Sequence, residues 1–360
     1  MLRLRNNLLL LLTALLLATA CKDEPPVTPD PLPADPKLYT PTVALKNAAS
    51  FPVGMATQAA RVAQTGHADL VKKEFNSITA EYEMKQNIFQ RLPGSYDWGP
   101  ADAIVNFAQA NGMRVHGHAL IWHSAVPNWV TNYAGTDAEF EVLIRDYIQA
   151  VVSRYKGKVA SWDVVNEAFD DGTGAWRNTI FRQRLGDDYV ARCFEWARAA
   201  DPDVLLFYND YGAEYDAAKR DAILAMIADF QARGIPIDGF GFQMHINYDW
   251  PSLSTLTTAV EALQATGLLI HFSELDIRVN PQDDLTALSE ARAKAQEERY
   301  EEIATLYRTI PEDQQYGITV WGLQDNESWL LSFWGNPDWP LLFDANRQYK
   351  IAHRGFVAGM

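Results

Sequence analysis

Cysteine is scarce in this 360-residue sequence, which contains only Cys21 and Cys193. Two cysteines, one of them close to the start of the chain, exclude a disulfide framework and a cysteine-based metal site. Cys193 falls in the stretch YVARCFEWARAA, where apolar residues recur at helical spacing, and we expect it to be a buried free thiol.

Positive charge is also scarce, because 31 lysines and arginines face 46 aspartates and glutamates, a net charge of −15. This acidic balance excludes nucleic acid or an anionic polymer as the main partner. The 11 tryptophans and 15 tyrosines fit a surface that binds flat, neutral, hydroxyl-rich ligands. A well-filled core explains the same aromatic content, so composition alone leaves both interpretations open.

The start of the chain has the pattern of an export signal. Arg3 and Arg5 precede the apolar run LLLLLTALLLATA, which is too short to span a membrane. Residues 18–21 read ATAC and resemble a lipoprotein cleavage motif, so we expect residues 1–20 to be a lipoprotein signal peptide and Cys21 to be lipidated. The alternative is an ordinary cleaved signal in which the cysteine is incidental.

Residues 21–41 are rich in proline and acid and have little apolar content, which predicts a disordered tether. The residues Lys-Asp-Glu directly after Cys21 resemble the export tag of surface lipoproteins. We therefore expect an outer-membrane lipoprotein that faces the cell exterior and touches the membrane only through its lipid anchor, with secretion as the alternative. The rest, 42–360, has the length of one α/β barrel, and we expect a monomer.

Apolar runs that read as strands alternate with segments of helical period. Eight such runs favour parallel strands joined by helical crossovers, and the sequence predicts a single (β/α)8 TIM barrel. A doubly wound open sheet is less favoured, because no glycine-rich phosphate turn follows the first strand. The predicted strands are 51–56, 75–83, 113–122, 159–168, 204–211, 239–246, 268–277 and 316–325.

Two helices are especially clear. One follows Thr136, where apolar residues mark one face, Glu139 completes a capping box and Gly157 stands near the expected end. The other is the charged segment 285–309, which ends before Pro311.

Polar residues cluster where the predicted strands end. In a barrel the carboxyl ends of all strands converge on one face, and that face carries the chemistry. Seven strands in succession with polar ends therefore predict a site. These residues are Glu81, Glu83, Lys85, His116, His118, His123, Asn166, Glu167, Asn209, Asp210, Gln243, His245, Glu274, Asp276, Trp321 and Asp325.

Glu167 and Glu274 end the fourth and seventh strands, so they can face each other across the barrel mouth. Two such carboxylates suit glycosidic bond cleavage, in which one protonates the leaving oxygen and the other attacks or assists at the anomeric carbon. Asp276 lies two residues after Glu274 and points the same way, and His245 can sit between them and hold Glu274 ionised. A structural carboxylate paired with lysine or arginine is the alternative for Glu167.

The histidines and tryptophans allow further interpretations. His116 and His118 form an H-x-H pattern, but this pattern is common and the first strand offers no metal ligand, so we expect neither metal nor cofactor. Trp122, Trp321 and Trp329 lie at or beyond strand ends, where an indole face packs on a sugar ring. Core filling is the alternative for each tryptophan.

The stretches FNSITAEYEMK, VHGHALIWHS, WDVVNEAF, LFYNDY, GFGFQMHI, FSELDI and ITVWGLQDNESW, followed by PLLFD, resemble glycoside hydrolase family 10, the endo-β-1,4-xylanase family. They run in family order and cover nearly all of residues 45–355. The resemblance implies a retaining endo-1,4-β-xylanase that acts on xylan or xylo-oligosaccharides.

The resemblance also implies residue roles. Glu167 corresponds to the acid/base, with Asn166 beside it to bind the 2-hydroxyl group at the cleavage point. Glu274 corresponds to the nucleophile, and His245 with Asp276 to the network that keeps it ionised. The expected substrate-binding residues are Glu81, Lys85, His118, Trp122, Asn209, Gln243, Trp321 and Trp329.

Four positions depart from the family pattern. Tyr82 replaces a usual asparagine and Ala125 a usual glutamine, both of which contact the sugar one ring beyond the cleavage point. Gly212 and Leu330 replace a frequent asparagine and a frequent basic residue. We expect Tyr82 and Ala125 to reshape this subsite for a decorated xylan. A non-catalytic surface glycan-binding lipoprotein and a retaining hydrolase of another β-glycan are the alternative functions.

Overall fold

Parallel strands form the centre of the protein in the computed structural model, which describes residues 35–360. The predicted signal peptide, Cys21 and the tether up to residue 34 lie outside the described residues. The strands in the described part are β1 (Val53–Thr57), β2 (Ser77–Ala80), β3 (Arg114–Gly117), β4 (Ile121–Trp122), β5 (Ser161–Asn166), β6 (Leu205–Asp210), β7 (Gly239–Phe242), β8 (His245–Asn247), β9 (Leu269–Arg278) and β10 (Gln315–Val320).

These strands close into a barrel. Around the barrel the order is β10, β1, β2, β3, β5, β6, β7, β9, and β9 pairs back onto β10. The short β4 and β8 continue the course of β3 and β7 by pairing with β5 and β9. Every pairing is parallel, so the predicted (β/α)8 barrel is confirmed and closure excludes the open doubly wound sheet.

Helices cover the outside of the barrel, and in residues 35–360 short 3₁₀ helices lie at His123–Ala125, Glu312–Gln314 and Asp325–Glu327. The α-helices are α1 (Leu45–Ala48), α2 (Ala59–Val62), α3 (Thr65–Glu74), α4 (Gln86–Phe89), α5 (Gly99–Ala110), α6 (Asn128–Thr131), α7 (Asp137–Arg154), α8 (Ile180–Leu185), α9 (Tyr189–Ala200), α10 (Ala217–Arg233), α11 (Leu253–Gln264), α12 (Glu290–Arg308), α13 (Leu330–Trp334) and α14 (Ile351–Gly359). Among residues 35–360, no helix is both long and apolar enough to span a bilayer.

The two clearest predicted helices are present with shifted ends. Thr136 and Glu139 form the predicted capping box, with the Glu139 amide donating to Thr136 Oγ1 at 3.3 Å. The helix ends at Arg154, and Gly157 lies in the turn beyond it with a φ of 72°. The second helix begins at Glu290 rather than 285, because the Asn280 side chain bonds the amides and carbonyl of the preceding turn.

Large side chains pack on both sides of the barrel wall, and two glycines make room for them. A Cβ atom at Gly239 would lie 2.1 Å from the Phe207 ring inside the barrel, and one at Gly117 would lie 2.2 Å from the Trp162 ring, which packs outside the barrel near Tyr155. Cys193 is fully buried in α9, as predicted. The interior is therefore a packed core, and access to the strand ends comes only from the barrel mouth.

The folded unit begins earlier than the sequence predicted. It comprises residues 36–360, and the Ile351 amide donates to the Lys37 carbonyl at 2.9 Å while the Tyr39 amide donates to the Tyr349 carbonyl at 3.0 Å. Residues 36–41, predicted as the end of the tether, therefore belong to the barrel domain. The backbone hydrogen bonds to Tyr349 and to Ile351, the first residue of α14, hold residues 36–41 in place.

Candidate active site

The strand ends open into a cavity of about 1190 Å³. Most of the residues predicted from the strand ends lie in its wall, so the structure brings them together as the barrel argument requires. The predicted residues that line it are Glu81, Tyr82, Lys85, His118, Trp122, His123, Asn166, Glu167, Gln243, His245, Glu274, Trp321 and Trp329.

Glu274 lies deep in this cavity, where its side chain is 5% exposed. His245 Nε2 lies 3.3 Å from Glu274 Oε2, and Asn209 Nδ2 donates to Oε1 at 2.8 Å. Burial alone would raise the pKa of Glu274, but His118, His245 and Lys85 together lower it below its ordinary value. Glu274 is therefore held as a carboxylate.

His245 stands between Glu274 and Asp276, as the sequence predicted. The register of β8 on β9 pairs His245 with Asp276, and their Nδ1 and Oδ2 atoms lie 3.0 Å apart. Burial would lower the pKa of a histidine, but Asp276 and Glu274 outweigh it and raise the pKa of His245 to about 10. Trp329 Nε1 donates to the same Asp276 oxygen at 2.9 Å, so two side chains converge on one oxygen of the fully buried Asp276.

Glu167 is held by neutral groups. It follows β5 with a φ of 59°, and its carboxylate accepts from Trp122 Nε1 at 2.8 Å, Gln243 Nε2 at 3.0 Å and Asn166 Nδ2 at 3.2 Å. Within residues 35–360 it forms no ion pair within 4.0 Å, which argues against the alternative of a structural salt bridge. The two carboxylates thus occupy different electrostatic surroundings.

Three amide side chains link the carboxylates. Asn166 Oδ1 accepts from Asn209 Nδ2 at 3.0 Å and from Gln243 Nε2 at 3.3 Å, while Asn209 Nδ2 also reaches Glu274. Ser273 Oγ donates to Asn209 Oδ1 at 2.6 Å and orients that amide. Asn209 is fully buried and does not line the cavity, so it supports the site from beneath.

Lys85 lies between two aromatic rings at one end of the cavity. Its ammonium group is 4.5 Å from the Trp122 ring centroid and 4.9 Å from that of Tyr82. Burial lowers its pKa, although Glu274 and Glu81 oppose the shift. Glu81 is 5% exposed and accepts from Gln58 Nε2 at 2.9 Å.

Several of the polar residues predicted at strand ends do not line the cavity but form contacts that stabilise the fold. Asp210 pairs with Lys219 at 2.8 Å and Asp325 pairs with Lys350 at 3.1 Å, and all four side chains are buried. Glu83 accepts from a backbone amide at 2.6 Å. Sequence position alone does not separate these residues from the lining residues, because both types follow strands.

His116 is another scaffold residue. Its Nδ1 contacts Ser161 Oγ at 2.6 Å, and its Nε2 lies 3.0 Å from Asp163 Oδ2, which His118 Nδ1 also approaches at 2.8 Å. Within residues 35–360 no cluster of histidine, cysteine or acidic residues is arranged to hold a metal ion. The two histidines of the H-x-H pattern instead share one buried partner, Asp163.

Tyr82 and Ala125 differ in their positions. Tyr82 lines the cavity at its rim and is 43% exposed. Ala125 is 3% exposed, at the end of the 3₁₀ helix His123–Ala125, and does not line the cavity. A longer side chain at 125 is needed to reach a ligand.

Comparison with known proteins connects this geometry to a family. A family model described as glycosyl hydrolase family 10 matches residues 43–358. The chain belongs to glycosyl hydrolase family 10. The predicted resemblance is therefore confirmed.

The similar proteins carry xylanase names. The chain is 42% identical over 311 residues to endo-beta-1,4-xylanase Xyn10C of Cellvibrio japonicus, covering 80% of this chain and 51% of that protein. It is 38% identical over 292 residues to a beta-1,4-xylanase of Dictyoglomus thermophilum, covering 79% and 82%. The chain thus spans about half the length of Xyn10C.

Solved structures of xylanases are also similar to this chain. A mutant of xylanase 10C from Cellvibrio japonicus in complex with xylopentaose superimposes with a TM-score of 0.86 at 38% identity, covering 89% of this chain and 70% of that one. The GH10 structure from Paenibacillus barcinonensis superimposes with a TM-score of 0.84 at 35% identity, covering 89% and 97%.

The sequence did not predict part of the cavity wall. Tyr211 directly follows β6 in the NDY stretch, and this position is a signal that could have identified it. The other residues lie in loops, at the last positions of β8 and β9, or in the short helix α13, where no hydrophobic period marks the course of the chain. The missed lining residues include Asp171, Arg177, Tyr211, Glu214, Tyr215, Asn247, Trp250, Arg278, Phe333 and Trp334.

Glu214 is the missed residue with the most direct link to the two carboxylates. Its Oε1 accepts from the Met244 amide at 2.8 Å, and Met244 has a φ of 60°. Met244 separates Gln243, which donates to Glu167, from His245, which contacts Glu274. Glu214 is 2% exposed and thus fixes the turn from which both partners project.

The first prediction concerns the charge of His245. We expect its imidazole to remain protonated at pH 8 and to titrate near pH 10, measured by ¹⁵N imidazole NMR. Because its folded pKa is raised above about 6.5, its stabilising contribution is complete below that pH and is lost as the pH rises through about 10.

His271 is the matched internal control. It is fully buried, whereas the His245 side chain is 18% exposed, and burial and the neighbouring His116 lower the pKa of His271 well below the ordinary value. At pH 8 the spectrum should therefore show His245 as an imidazolium and His271 as a neutral imidazole. A neutral His245 at pH 7 contradicts the assignment.

The second prediction concerns Glu214. In Glu214→Ala the Met244 amide loses its acceptor, the turn relaxes, and the pKa of His245 should fall by about 1 unit or more in the same NMR titration. Glu214→Gln keeps an acceptor oxygen and removes the charge, so it should retain most of the His245 shift. Equal falls in both variants would show that charge, rather than the backbone bond, links the two residues.

Proposed function

We propose that the protein is a retaining endo-1,4-β-xylanase that hydrolyses internal β-1,4-xylosidic bonds of xylan. The observation that carries the proposal is the unequal environment of two carboxylates in one cavity. Glu274 contacts His245 and has a lowered pKa, whereas Glu167 contacts only neutral donors. The xylanase names of the similar proteins support xylan as the substrate.

In the first step Glu274 attacks the anomeric carbon, and the bond from that carbon to the glycosidic oxygen breaks. Glu167 donates its proton to the departing oxygen, so a glycosyl ester on Glu274 and a free sugar hydroxyl result. His245 suits Glu274 to this role because it keeps the carboxylate ionised before the attack. Asn166, which bonds Glu167, is placed to receive the sugar 2-hydroxyl.

In the second step Glu167 acts as a base. It removes a proton from water, the water oxygen attacks the anomeric carbon, and the ester bond to Glu274 breaks. The configuration at the anomeric carbon is inverted twice and is thus retained. This double displacement requires carboxyl groups about 5–5.5 Å apart, closer than in inverting enzymes.

The third prediction tests the two roles. Proton NMR of xylohexaose during hydrolysis should show the β-anomer of the product first. Glu167→Ala should lower the rate on xylan by about 10²–10⁴-fold but retain cleavage of an aryl xylobioside with a good leaving group. With azide, this variant should release a β-xylobiosyl azide, whereas Glu274→Ala should release the α-azide.

Controls separate the alternatives. Glu298→Gln, on the exposed side of α12, removes a carboxylate far from the cavity and should leave the rate unchanged. An early α-anomer would mean inversion and would overturn the nucleophile assignment. Binding of xylohexaose without cleavage would favour a glycan-binding protein, and faster cleavage of cellohexaose would favour another β-glycan.

Tyr82 and Ala125 belong to a subsite that we propose suits decorated xylan. Tyr82 is a large, partly exposed side chain at the rim, and Ala125 is too short to extend a hydrogen-bonding group into the cavity. A subsite with fewer polar contacts to the main chain binds plain xylan more weakly and leaves more room for a branch.

The fourth prediction reverses both departures. Tyr82→Asn with Ala125→Gln should raise kcat/KM for unbranched xylotetraose by about 30-fold, since each of the two neutral hydrogen bonds contributes about 1 kcal/mol. The same variant should lose activity on arabinosylated xylan relative to the parent. Unchanged kinetics on both substrates contradict a role for these residues.

We further propose that the chain is an exported lipoprotein attached through Cys21. The apolar run before ATAC and the proline-rich stretch after it support this location. In this arrangement the monomeric barrel domain acts on polysaccharide outside the cell.

A further inference from the structure

Two aromatic side chains at the end of α13 are unusually exposed for their size. Phe333 is 63% exposed and Trp334 is 55% exposed. Both belong to the wall of the cavity that contains Glu167 and Glu274. Burial of a large apolar side chain is favourable, and these two side chains are exposed to water. A pair of exposed aromatic rings in the wall of a cleft therefore indicates a surface that a ligand covers.

The two rings are held in fixed positions. The Trp334 ring lies 4.6 Å from the Arg278 guanidinium, and Arg278 Nε lies 3.1 Å from Asp338 Oδ2. Asp338 is 4% exposed and also accepts from the Val279 amide at 2.9 Å. Because the support beneath Trp334 is a buried ion pair, little ordering is required when a ligand binds.

Phe333 and Trp334 form a corner. Their ring planes meet at 84°, with centroids 5.1 Å apart, and the Phe333 ring lies 5.0 Å from the Trp329 ring. Such a corner offers one flat apolar face and one apolar wall. A pyranose ring has an apolar C–H face that packs flat on such a surface and keeps its equatorial hydroxyls at the edge.

The corner is continuous with the reacting part of the cavity. Trp329 contacts Phe333 on one side and donates to Asp276 on the other. A chain whose sugar is in reach of Glu274 therefore extends along one wall towards the corner. The occupant that this continuity favours is another ring of the same polysaccharide.

We propose that Phe333 and Trp334 form an additional stacking subsite for a xylosyl ring of the main chain, beyond the three rings that a trisaccharide places around the cleavage point. The proposal rests on the proposed function, since it assumes that xylan occupies the cleft. If this subsite exists, Trp334 contributes to kcat/KM only for substrates long enough to reach it. A residue that contacts the reacting rings contributes for substrates of every length.

The test compares substrates of two lengths in the full-length protein. Trp334→Ala and Phe333→Ala should each lower kcat/KM for xylohexaose by about fivefold, an amount typical of losing one apolar ring contact, and leave xylotriose within about twofold. Trp334→Tyr should restore most of the loss because it keeps an aromatic face.

Leu92→Ala is the matched control, because Leu92 is 66% exposed and lies outside the cavity wall. It should not change the kinetics on either substrate. Equal losses on xylotriose and xylohexaose, or no loss on either, overturn the stacking subsite. If the wild-type protein cleaves no xylo-oligosaccharide, the proposed function itself fails, and that result is distinct from a failure of the subsite.

Discussion

Carboxyl side chains, among them Glu274 and Asp276, crowd the cavity and its floor, and their mutual repulsion is the constraint on which the arrangement depends. In a poorly solvated space, neighbouring carboxylates push one another toward the neutral form. The His245 imidazolium, in contact with both Glu274 and Asp276, removes that tendency on the β9 side. The register of the strands produces this contact. β8 pairs His245 with Asp276 on β9, and Glu274 lies two positions before Asp276 on the same face of that strand.

The hydrogen-bond partners of Glu167 differ from those of Glu274. Around Glu167 the partners are an indole and two amides, which bond an ionised carboxyl but carry no compensating charge. Glu274 therefore has a cationic hydrogen-bonding partner, whereas the hydrogen-bonding partners of Glu167 are neutral. The proposed double displacement uses this difference between the two carboxylates.

The barrel and the main carboxylates could be predicted because apolar runs mark strands, and barrel closure brings their ends together. Depth within the barrel could not be predicted. Asn209 follows the same pattern as Asn166 and pairs with it in register, yet it does not line the cavity. Its side chain is instead held by hydrogen bonds to Ser273 and Glu274. Glu214 and Trp334 were missed for another reason: they lie in or next to loops, and no periodicity records where a loop returns.

The amide link between the two carboxylates has a further consequence. Asn166, Asn209 and Gln243 carry no titratable group, so the bonds that Asn166 Oδ1 accepts from Asn209 and Gln243 do not depend on pH. In the proposed reaction a proton moves on and off Glu167, and these amide-to-amide bonds persist through that change. The link between the two carboxylates is thus built from side chains that do not titrate.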